Sequence, residues 1–383
     1  MTIPLQSPSQ LRAGIIGTGF IGPVHVEALR RIGVPVTALC GSERAQAVAE
    51  QWGIPQVFTG YDYQGLVTSP DVDVVHITTP NRHHHAQVLA ALAAGKHVVC
   101  EKPLAMNSRE TAEIVAAAER AGRVCAVNYN VRFYPAVLQM RSLVQRGELG
   151  DIIHVNGSYL QDWLLHDTDY NWRLLAPEGG ALRAVGDIGT HWLDTVTFIL
   201  GTPVQELLAD LTTFHTVRRR PVREVVTFAS AGEGERVAYR VDTEDLANIL
   251  LRFASGTRGN LAVSQVAAGR KNCLRLEIYG SRQSVWWNSE QPDELHLGRR
   301  DRANATAWRG CAEFEGAAGY TDYPGGHVEG FPDTFKMLYR SIYGAIASGQ
   351  SDGLFATAQD GHAEVRWCES ILRSHQERRW VEV

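Results

Sequence analysis

The chain has 383 residues, enough for two domains, with 44% hydrophobic and 21% charged residues, the composition of an ordinary globular protein. Its net charge of −5 offers no basic footprint for nucleic acid or an anionic membrane, and we expect the basic run 218–220 to be a solvated loop. Six cysteines lack C-x-x-C spacing, and no apolar run approaches the roughly 20 residues of a membrane helix. Because the N-terminus also lacks a signal-peptide pattern, we expect a soluble, cytoplasmic protein with no nucleic-acid or membrane partner.

The first predicted elements are a strand, a tight glycine turn and a helix. An apolar strand leads into Gly17-x-Gly19-x-x-Gly22, and an amphipathic stretch follows. In this context the glycines serve a tight turn, close approach of a pyrophosphate, and packing of the helix on the strand. The helix N-terminus offers free N–H groups to phosphates. A glycine turn without a ligand is the alternative, but the first-strand position favours a dinucleotide site.

Strands and helices then alternate to about residue 128. The predicted strands cover 36–40, 57–58, 73–77, 97–100 and 124–127. Helices lie between them, one with Ser42 as its cap and another capped by Asn107 or Ser108. This alternation predicts an α/β domain with a doubly wound parallel sheet over residues 1–128.

The pattern changes over residues 129–383, which we assign to a second domain. After a helix over 135–146, strands follow with few helices between them, at 152–160, 206–213, 246–253, 259–266, 273–279 and 284–287. Helices are predicted over 190–200, 333–347 and 356–375. The pattern indicates an α+β domain with a large, mostly antiparallel open sheet. Because one face of such a sheet needs cover, we predict a homodimer or homotetramer formed through it.

Three further stretches carry candidate chemistry. The loop 78–84 follows a strand of the first sheet and should face a cofactor crevice. Its three consecutive histidines would point in different directions, so we predict no metal site. Lys102 follows a buried strand in Glu101-Lys102-Pro103 and could be aimed into the crevice, although this tripeptide alone favours a surface lysine at a strand end. Asp187 and His191, four residues apart, would lie on one helix face as a proton-handling pair, or Asp187 would simply be a helix cap.

Together these stretches resemble the Gfo/Idh/MocA oxidoreductase family, named after glucose-fructose oxidoreductase and inositol dehydrogenase. The resemblance covers nearly the whole chain, and the motifs that carry it are G-I-I-G-T-G-F-I-G at 14–22, T-P-N-R-H-H at 79–84, A-G-K-H-V-V-C-E-K-P at 94–103, N-Y-N-V-R-F-Y-P at 128–135, N-W-R at 171–173 and G-D-I-G-T-H-W at 186–192. Within the family, Q-D-W-L-L at 161–165 and P-G-G-H-V-E-G-F at 324–331 resemble the levoglucosan dehydrogenase branch. The resemblance implies a Rossmann domain and an NAD(P)-dependent sugar dehydrogenase or reductase acting on CH–OH.

The family's catalytic positions fall on Lys102, Asp187 and His191. The resemblance and the strand-end reasoning together give the predicted cofactor-binding residues as Gly17, Thr18, Gly19, Phe20, Ile21, Ser42, Arg44, Thr79, Pro80, Asn81, His84, Glu101, Lys102, Asn128, Trp172 and Arg173. The predicted substrate-binding residues are Lys102, Trp163, Tyr170, Arg173, Asp187, His191, His327 and Glu329. Loss of a hydride from a C–H requires a base near the neighbouring hydroxyl, and either Lys102 or His191 would be that base.

The second strand departs from the NAD pattern. Glycine and serine stand in Cys40-Gly41-Ser42-Glu43-Arg44 where a carboxylate would hold the ribose 2′-hydroxyl. Ser42 and Arg44 would instead hold a 2′-phosphate, so we favour NADP over NAD. The alternatives are that Glu43 turns inward to the ribose or that the site accepts both cofactors.

Two other functions stay open on the same fold. One is an NADPH-dependent ketosugar reductase, which differs only in working direction. The other is a non-catalytic regulator that senses dinucleotide. The presence of Lys102, Asp187 and His191 counts against it, because a sensor has no need of all three.

Overall fold

The computed structural model describes residues 10–222, 235–310 and 312–383. The helices are α1 (Ile21–Arg31), α2 (Ala45–Trp52), α3 (Tyr63–Thr68), α4 (His84–Ala93), α5 (Ser108–Ala121), α6 (Pro135–Gln145), α7 (Ala176–Gly179), α8 (Thr190–Leu200), α9 (Phe331–Ser348) and α10 (Ala358–Glu377). The strands are β1 (Ala13–Ile16), β2 (Val36–Cys40), β3 (Gln56–Phe58), β4 (Val74–Ile77), β5 (His97–Cys100), β6 (Cys125–Val127), β7 (Ile152–Leu160), β8 (Val204–Thr212), β9 (Val217–Pro221), β10 (Arg236–Arg240), β11 (Leu246–Phe253), β12 (Arg258–Ser264), β13 (Cys273–Gly280), β14 (Ser284–Asn288), β15 (Glu294–Gly298), β16 (Ala305–Trp308), β17 (Ala356–Thr357) and β18 (Val381–Glu382). Within these described ranges, none of the helices combines the length and the apolar character needed to cross a membrane.

The first sheet has seven strands in the order β17-β6-β5-β4-β1-β2-β3. All neighbours are parallel except β17, which runs antiparallel to β6. Strand order reverses between β1 and β4, and a dinucleotide binds at such a switch point, outside the carboxyl ends of the strands. The predicted doubly wound Rossmann architecture is confirmed.

Contacts divide the chain into two compact units. The first comprises 1–130 with 332–365, and the second comprises 131–331 with 366–383. The sequence analysis assigned all of 129–383 to the second domain, whereas these contacts group most of α9 and the start of α10 with the first unit. The strand β17 explains part of this grouping, because it extends the first sheet at β6. Local patterns in a sequence do not reveal such a return of the chain.

The second unit is built on a nine-stranded sheet in the order β16-β15-β14-β13-β7-β12-β11-β8-β18. Only β7 and β12 are parallel, so the predicted large, mostly antiparallel sheet is confirmed. Helix α8 packs on one face, where the Trp192 indole N–H donates to Arg275 O of β13 at 3.0 Å. A Cβ on Gly157 of β7 would lie 2.0 Å from that indole nitrogen, so β7 needs a glycine there.

The alternating apolar residues of β12 and β13 face the interior of the second unit. Leu261, Leu274 and Leu276 are almost fully buried. The opposite face carries polar residues at its centre, where a depression is lined by Asn156, Gly157, Ser158, Asn260, Arg275 and Glu277. A dimer or tetramer formed through this sheet would therefore bury a surface that is polar at its centre. The assembly itself stays a prediction.

The run 218–220 is not a solvated loop, and that prediction was wrong for Arg218. It belongs to β9, which pairs with β10, and Arg218 is 0% exposed. Its guanidinium donates to Asp245 Oδ1 at 2.7 Å and to Leu164 O at 3.0 Å, and Arg183 pairs with the same carboxylate. Burial of three charges is sustained because each is paired and hydrogen-bonded.

Candidate active site

The glycine turn after β1 is tightly packed on the end of β4. Gly17 has φ +118°, and a Cβ there would lie 2.5 Å from Thr78 Oγ1. A Cβ on Gly22 would lie 2.6 Å from Gly17 O, so the start of α1 also requires glycine. At Gly19, by contrast, a Cβ would meet no described atom within 4 Å. Two glycines are thus required by the protein's own packing, and the third lies on an open surface at the N-terminus of α1, where a phosphate fits.

Thr78 fixes this turn; the sequence analysis placed it in the loop 78–84 but did not include it among the cofactor-binding residues. Its hydroxyl donates to Ile16 O at 2.9 Å and approaches Gly17 O at 3.2 Å. The predicted cofactor residues Thr18, Phe20 and Ile21 lie in and beside the turn, and Phe20 is 50% exposed. The signal available in the sequence was the position of Thr78 directly after the strand that adjoins β1.

The end of β2 holds the predicted phosphate-binding residues on an exposed loop. The Ser42 hydroxyl accepts a hydrogen bond from Arg44 N at 3.3 Å, but the N-cap position of α2 is Arg44 and carries no side-chain cap, so the predicted cap role of Ser42 is wrong. Arg44 and Glu43 are exposed, and the Glu43 carboxylate lies 3.6 Å from where a Cβ of Gly60 would stand. A Cβ on Gly41 would lie only 2.9 Å from Thr18 Cγ2.

The loop after β4 separates its three histidines, as predicted. His83 accepts from Arg82, His85 lies 2.9 Å from Glu113, and His84 is fully buried. Within the described part of the chain, no group of three or more metal-ligating side chains forms. The ring nitrogens of His84 lie 2.8 Å from Thr79 O and Pro103 O, so this side chain bridges the loops after β4 and β5.

The loop after β4 is held in place by a neutral His84 and by contacts of its other side chains. Burial lowers the pKa of His84, and the neutral ring donates to one of the two carbonyls at a time. The Thr79 hydroxyl donates to Gln87 Oε1 at 2.6 Å. Pro80 precedes the short helix that starts at Asn81, whose side chain is nearly buried. The predicted cofactor residues of this loop are therefore held by the protein's own contacts.

The loop after β5 presents Lys102, a half-buried side chain next to a buried carboxylate. Glu101 Oε2 accepts from Lys102 N at 3.2 Å, and Glu101 Oε1 accepts from Asn128 Nδ2 at 2.6 Å. The peptide bond between Lys102 and Pro103 is cis. Because β1, β4 and β5 are parallel neighbours, Lys102 lies at the same sheet edge as the glycine turn.

In the second unit, Asp187 is held from two sides. Its Oδ1 lies 3.2 Å from Arg173 Nε, and its Oδ2 accepts from Gln265 Nε2 at 2.8 Å. Gln265, at the end of β12, is 0% exposed and was not predicted. The Arg173 guanidinium also lies 4.4 Å from the Trp172 ring, so the predicted Trp172–Arg173 pair is joined to Asp187.

His191 lies in the first turn of α8 and is 8% exposed. Residues Val185–Gly189 form a π-helical turn before α8, so the simple α-helical spacing expected for Asp187 and His191 is interrupted. Tyr159 packs near this pair, with its ring centroid 6.2 Å from that of His191, and its hydroxyl donates to Asn272 at 2.8 Å. A π-turn frequently marks a functional site within a helix.

The other predicted substrate residues have different surroundings. Trp163 and Tyr170 pack against a small buried cluster of Leu164, Leu174 and Val241. Glu329 is 1% exposed and pairs with Arg309 at 2.9 Å, a buried ion pair. His327 is exposed, and its backbone oxygen accepts from Arg309. Of these four, His327 is the most exposed, Trp163 and Tyr170 are half-buried, and Glu329 is buried.

Comparison with known proteins gives matches that span nearly the whole chain. A model described as an oxidoreductase family with an NAD-binding Rossmann fold matches residues 11–129, and the GFO/IDH/MocA C-terminal domain matches 137–286. Levoglucosan dehydrogenase from Pseudarthrobacter phenanthrenivorans is 30% identical over 97% of this chain and 98% of its own length. A crystal structure of an oxidoreductase domain protein from Kribbella flavida shares 31% identity with a TM-score of 0.85, covering 97% of this chain and 99% of that one. The structure of levoglucosan dehydrogenase in complex with NADH and levoglucosan has a TM-score of 0.87 at 28% identity, covering 97% of this chain and 99% of that one.

The fold, the glycine turn and these matches define an enzyme of the oxidoreductase class with an NAD-binding domain. The chain belongs to the GFO/IDH/MocA oxidoreductase family. The predicted family and enzyme class are confirmed.

Proposed function

We propose that the enzyme transfers a hydride between the nicotinamide of NAD(P) and a secondary hydroxyl or ketone of a sugar, anhydrosugar or cyclitol. One observation carries this proposal. Lys102 lies directly after β5, at the sheet edge where the glycine turn offers an open surface at Gly19. A positioned amine beside a dinucleotide site suits an alcohol that must lose its proton as its C–H loses a hydride. The kinship with levoglucosan dehydrogenase supports a carbohydrate substrate.

Oxidation breaks the C–H and O–H bonds of one CH–OH group and forms a C=O bond. When bound, NAD(P) accepts the hydride in this direction and returns it in the other. Lys102 or His191 takes the hydroxyl proton, and Asp187 orients His191 and favours its charged form. Arg173 and Gln265 support this role, because they keep the Asp187 carboxylate in one position.

The cofactor is held by Gly17 to Ile21, by the loops after β4 and β5, and by Asn128. A 2′-phosphate would meet the half-buried Ser42 and the exposed Arg44, whose hydroxyl and guanidinium suit a charged ligand, so NADP is favoured over NAD. Trp172 and Arg173 are also proposed as cofactor contacts.

The substrate site includes Lys102, Asp187, His191 and the exposed His327. Trp163 and Tyr170 would present ring faces to the C–H face of a pyranose. The Glu329 carboxylate is paired with Arg309, which donates to His327 O, so Glu329 would help to position the loop that carries His327. We propose further that the enzyme works in the cytoplasm as a homodimer or homotetramer.

The test is to mix the purified protein with NAD or NADP and a panel of pyranoses, anhydrosugars and cyclitols, while recording absorbance of the reduced nicotinamide. Turnover with a sugar supports the dehydrogenase, and turnover only of ketosugars with NADPH supports the reductase. Tight dinucleotide binding without turnover of any sugar or ketosugar would contradict the proposal and favour a dinucleotide-sensing regulator.

A further inference from the structure

A chain of buried side chains runs through the first unit to Glu101. Tyr343 OH lies 3.0 Å from His76 Nε2, His76 Nδ1 lies 3.0 Å from His25 Nδ1, and His25 Nε2 lies 3.1 Å from Glu101 Oε1. Both histidines and Tyr343 are 0% exposed. These three residues form what we call the His25–His76–Tyr343 relay.

An ionised carboxylate at one end, together with two neutral imidazoles, fixes every donor in the relay. Both Glu101 oxygens accept N–H groups, from Asn128 and from Lys102, as an ionised carboxylate does. Since such a carboxylate has no hydrogen to give, His25 Nε2 must carry the proton and donate. A neutral His25 then has a lone pair on Nδ1, which faces the Nδ1 of His76.

The same reasoning assigns the remaining hydrogens. His76 must donate from Nδ1, so its Nε2 holds a lone pair and accepts from the Tyr343 hydroxyl. Burial lowers the pKa of His76 well below its usual value. Burial also raises the pKa of Tyr343, which keeps its proton. The neutral relay therefore has one consistent direction, from Tyr343 to Glu101.

Aromatic residues of α9 enclose the relay. Tyr339 packs against both imidazoles, with ring centroids 5.2 Å from His25 and 5.0 Å from His76, and its hydroxyl donates to Asn128 Oδ1 at 3.3 Å. Phe335 lies 5.9 Å from His25. The relay thus joins α1, β4 and α9 to the end of β5, and it includes the helix that returns to the first unit.

We propose that the relay locks His25 and His76 as opposite neutral tautomers, and that His76 and Tyr343 are thereby positioning residues for the Glu101–Lys102 loop. Glu101 accepts from the backbone N–H of Lys102, so a fixed carboxylate fixes the start of the loop that carries the lysine. The effect on turnover rests on the proposed function, whereas the tautomers do not.

The first test is selective ¹⁵N labelling of histidine in the full-length protein without ligand at neutral pH. Two-bond ¹H–¹⁵N correlations, assigned through the backbone, report which ring nitrogen carries hydrogen. The expected result is a proton on Nε2 alone in His25 and on Nδ1 alone in His76. The same tautomer in both rings, or two protonated nitrogens in either ring, would overturn the proposal.

The second test is Tyr343→Phe, which removes one hydroxyl and keeps the ring. Without this donor His76 populates both tautomers, and kcat at saturating dinucleotide falls about three- to tenfold, the effect of one lost neutral hydrogen bond. KM for the sugar stays unchanged. A single His76 tautomer or an unchanged kcat in the folded variant would overturn the positioning role.

The matched control is Tyr279→Phe in the second unit, which also loses a tyrosine hydroxyl that donates to a carboxylate, Glu277, at 2.6 Å. This control should keep the wild-type His25 and His76 signals and the wild-type kcat; equal effects of both variants would contradict a specific role for Tyr343. If no sugar is turned over by the wild type, the proposed function fails, and the labelling experiment still decides the tautomers.

Discussion

The contact between Gln265 and Asp187 gives the sharpest mutational prediction. Gln265→Leu keeps a buried side chain of similar size and removes the donor that lies 2.8 Å from Asp187 Oδ2. A hydrogen bond to a charged acceptor contributes about 1.5–3 kcal/mol, equivalent to roughly 10- to 150-fold in rate if all of it acts in the transition state. Because Arg173 still holds the other oxygen at 3.2 Å, we expect the lower end, about tenfold in kcat.

The assay is kcat at saturating dinucleotide and sugar, measured across pH together with thermal unfolding. Gln265→Glu adds a second carboxyl at this position, which repels Asp187 when ionised and donates to it when protonated. Its kcat should therefore be lower than that of Gln265→Leu at neutral pH and recover as pH falls. Arg258→Ala, an exposed change on β12, the strand that Gln265 follows, is the control. Wild-type kcat in a folded Gln265→Leu variant would refute the role assigned to Asp187.

Four other predictions concern the cofactor, stability and assembly. Arg44→Ala should weaken NADP binding about 10- to 100-fold relative to NAD, because a charge-assisted pair is lost. The same dissociation constant for NADP in the wild type and in the variant would contradict this. Gly41→Asp alone should weaken both cofactors because its Cβ would crowd Thr18, whereas Gly41→Asp with Thr18→Ser should recover NAD binding by calorimetry; recovery without the second change would show that the crowding is harmless. Burial lowers the pKa of His97 to about 4, so the free energy of unfolding should fall by about 1–3 kcal/mol from this group as pH falls from about 6.5 to 4. His97→Asn should reduce that slope in urea titrations, and an unchanged slope would refute the assignment. Sedimentation should show a dimer or tetramer at micromolar concentration, and a monomer would contradict assembly through the second sheet.

The sequence was informative where local pattern reports structure directly. Apolar strands ending in glycine or a capping residue predicted the first sheet, and the Asn107 cap is confirmed by its bond to Glu110 N at 3.0 Å. The glycine turn was predicted in detail because each glycine has a separate steric reason. Family motifs then located Lys102, Asp187 and His191, whose roles stay predictions.

Long-range pairing was not predictable in the same way. Nothing in the local pattern showed that Tyr343 would lie beside His76, or that Gln265 would meet Asp187 across 78 positions of chain. Arg218 looks like a surface residue by composition, and only its pairing with Asp245 allows it to be buried. The position and burial of these side chains therefore depend on partners that are distant in the sequence and that only the fold brings close.

The central claim is hydride transfer from a sugar carbon to the cofactor. The most direct measurement uses a sugar that the enzyme turns over, deuterated at every carbon-bound position, with mass spectrometry of the reduced cofactor. We predict that one deuterium appears on the nicotinamide per turnover, and that Lys102→Ala abolishes most of this transfer even at saturating dinucleotide. Reduced cofactor that carries only protium, or full recovery of Lys102→Ala at saturating dinucleotide, would contradict the account.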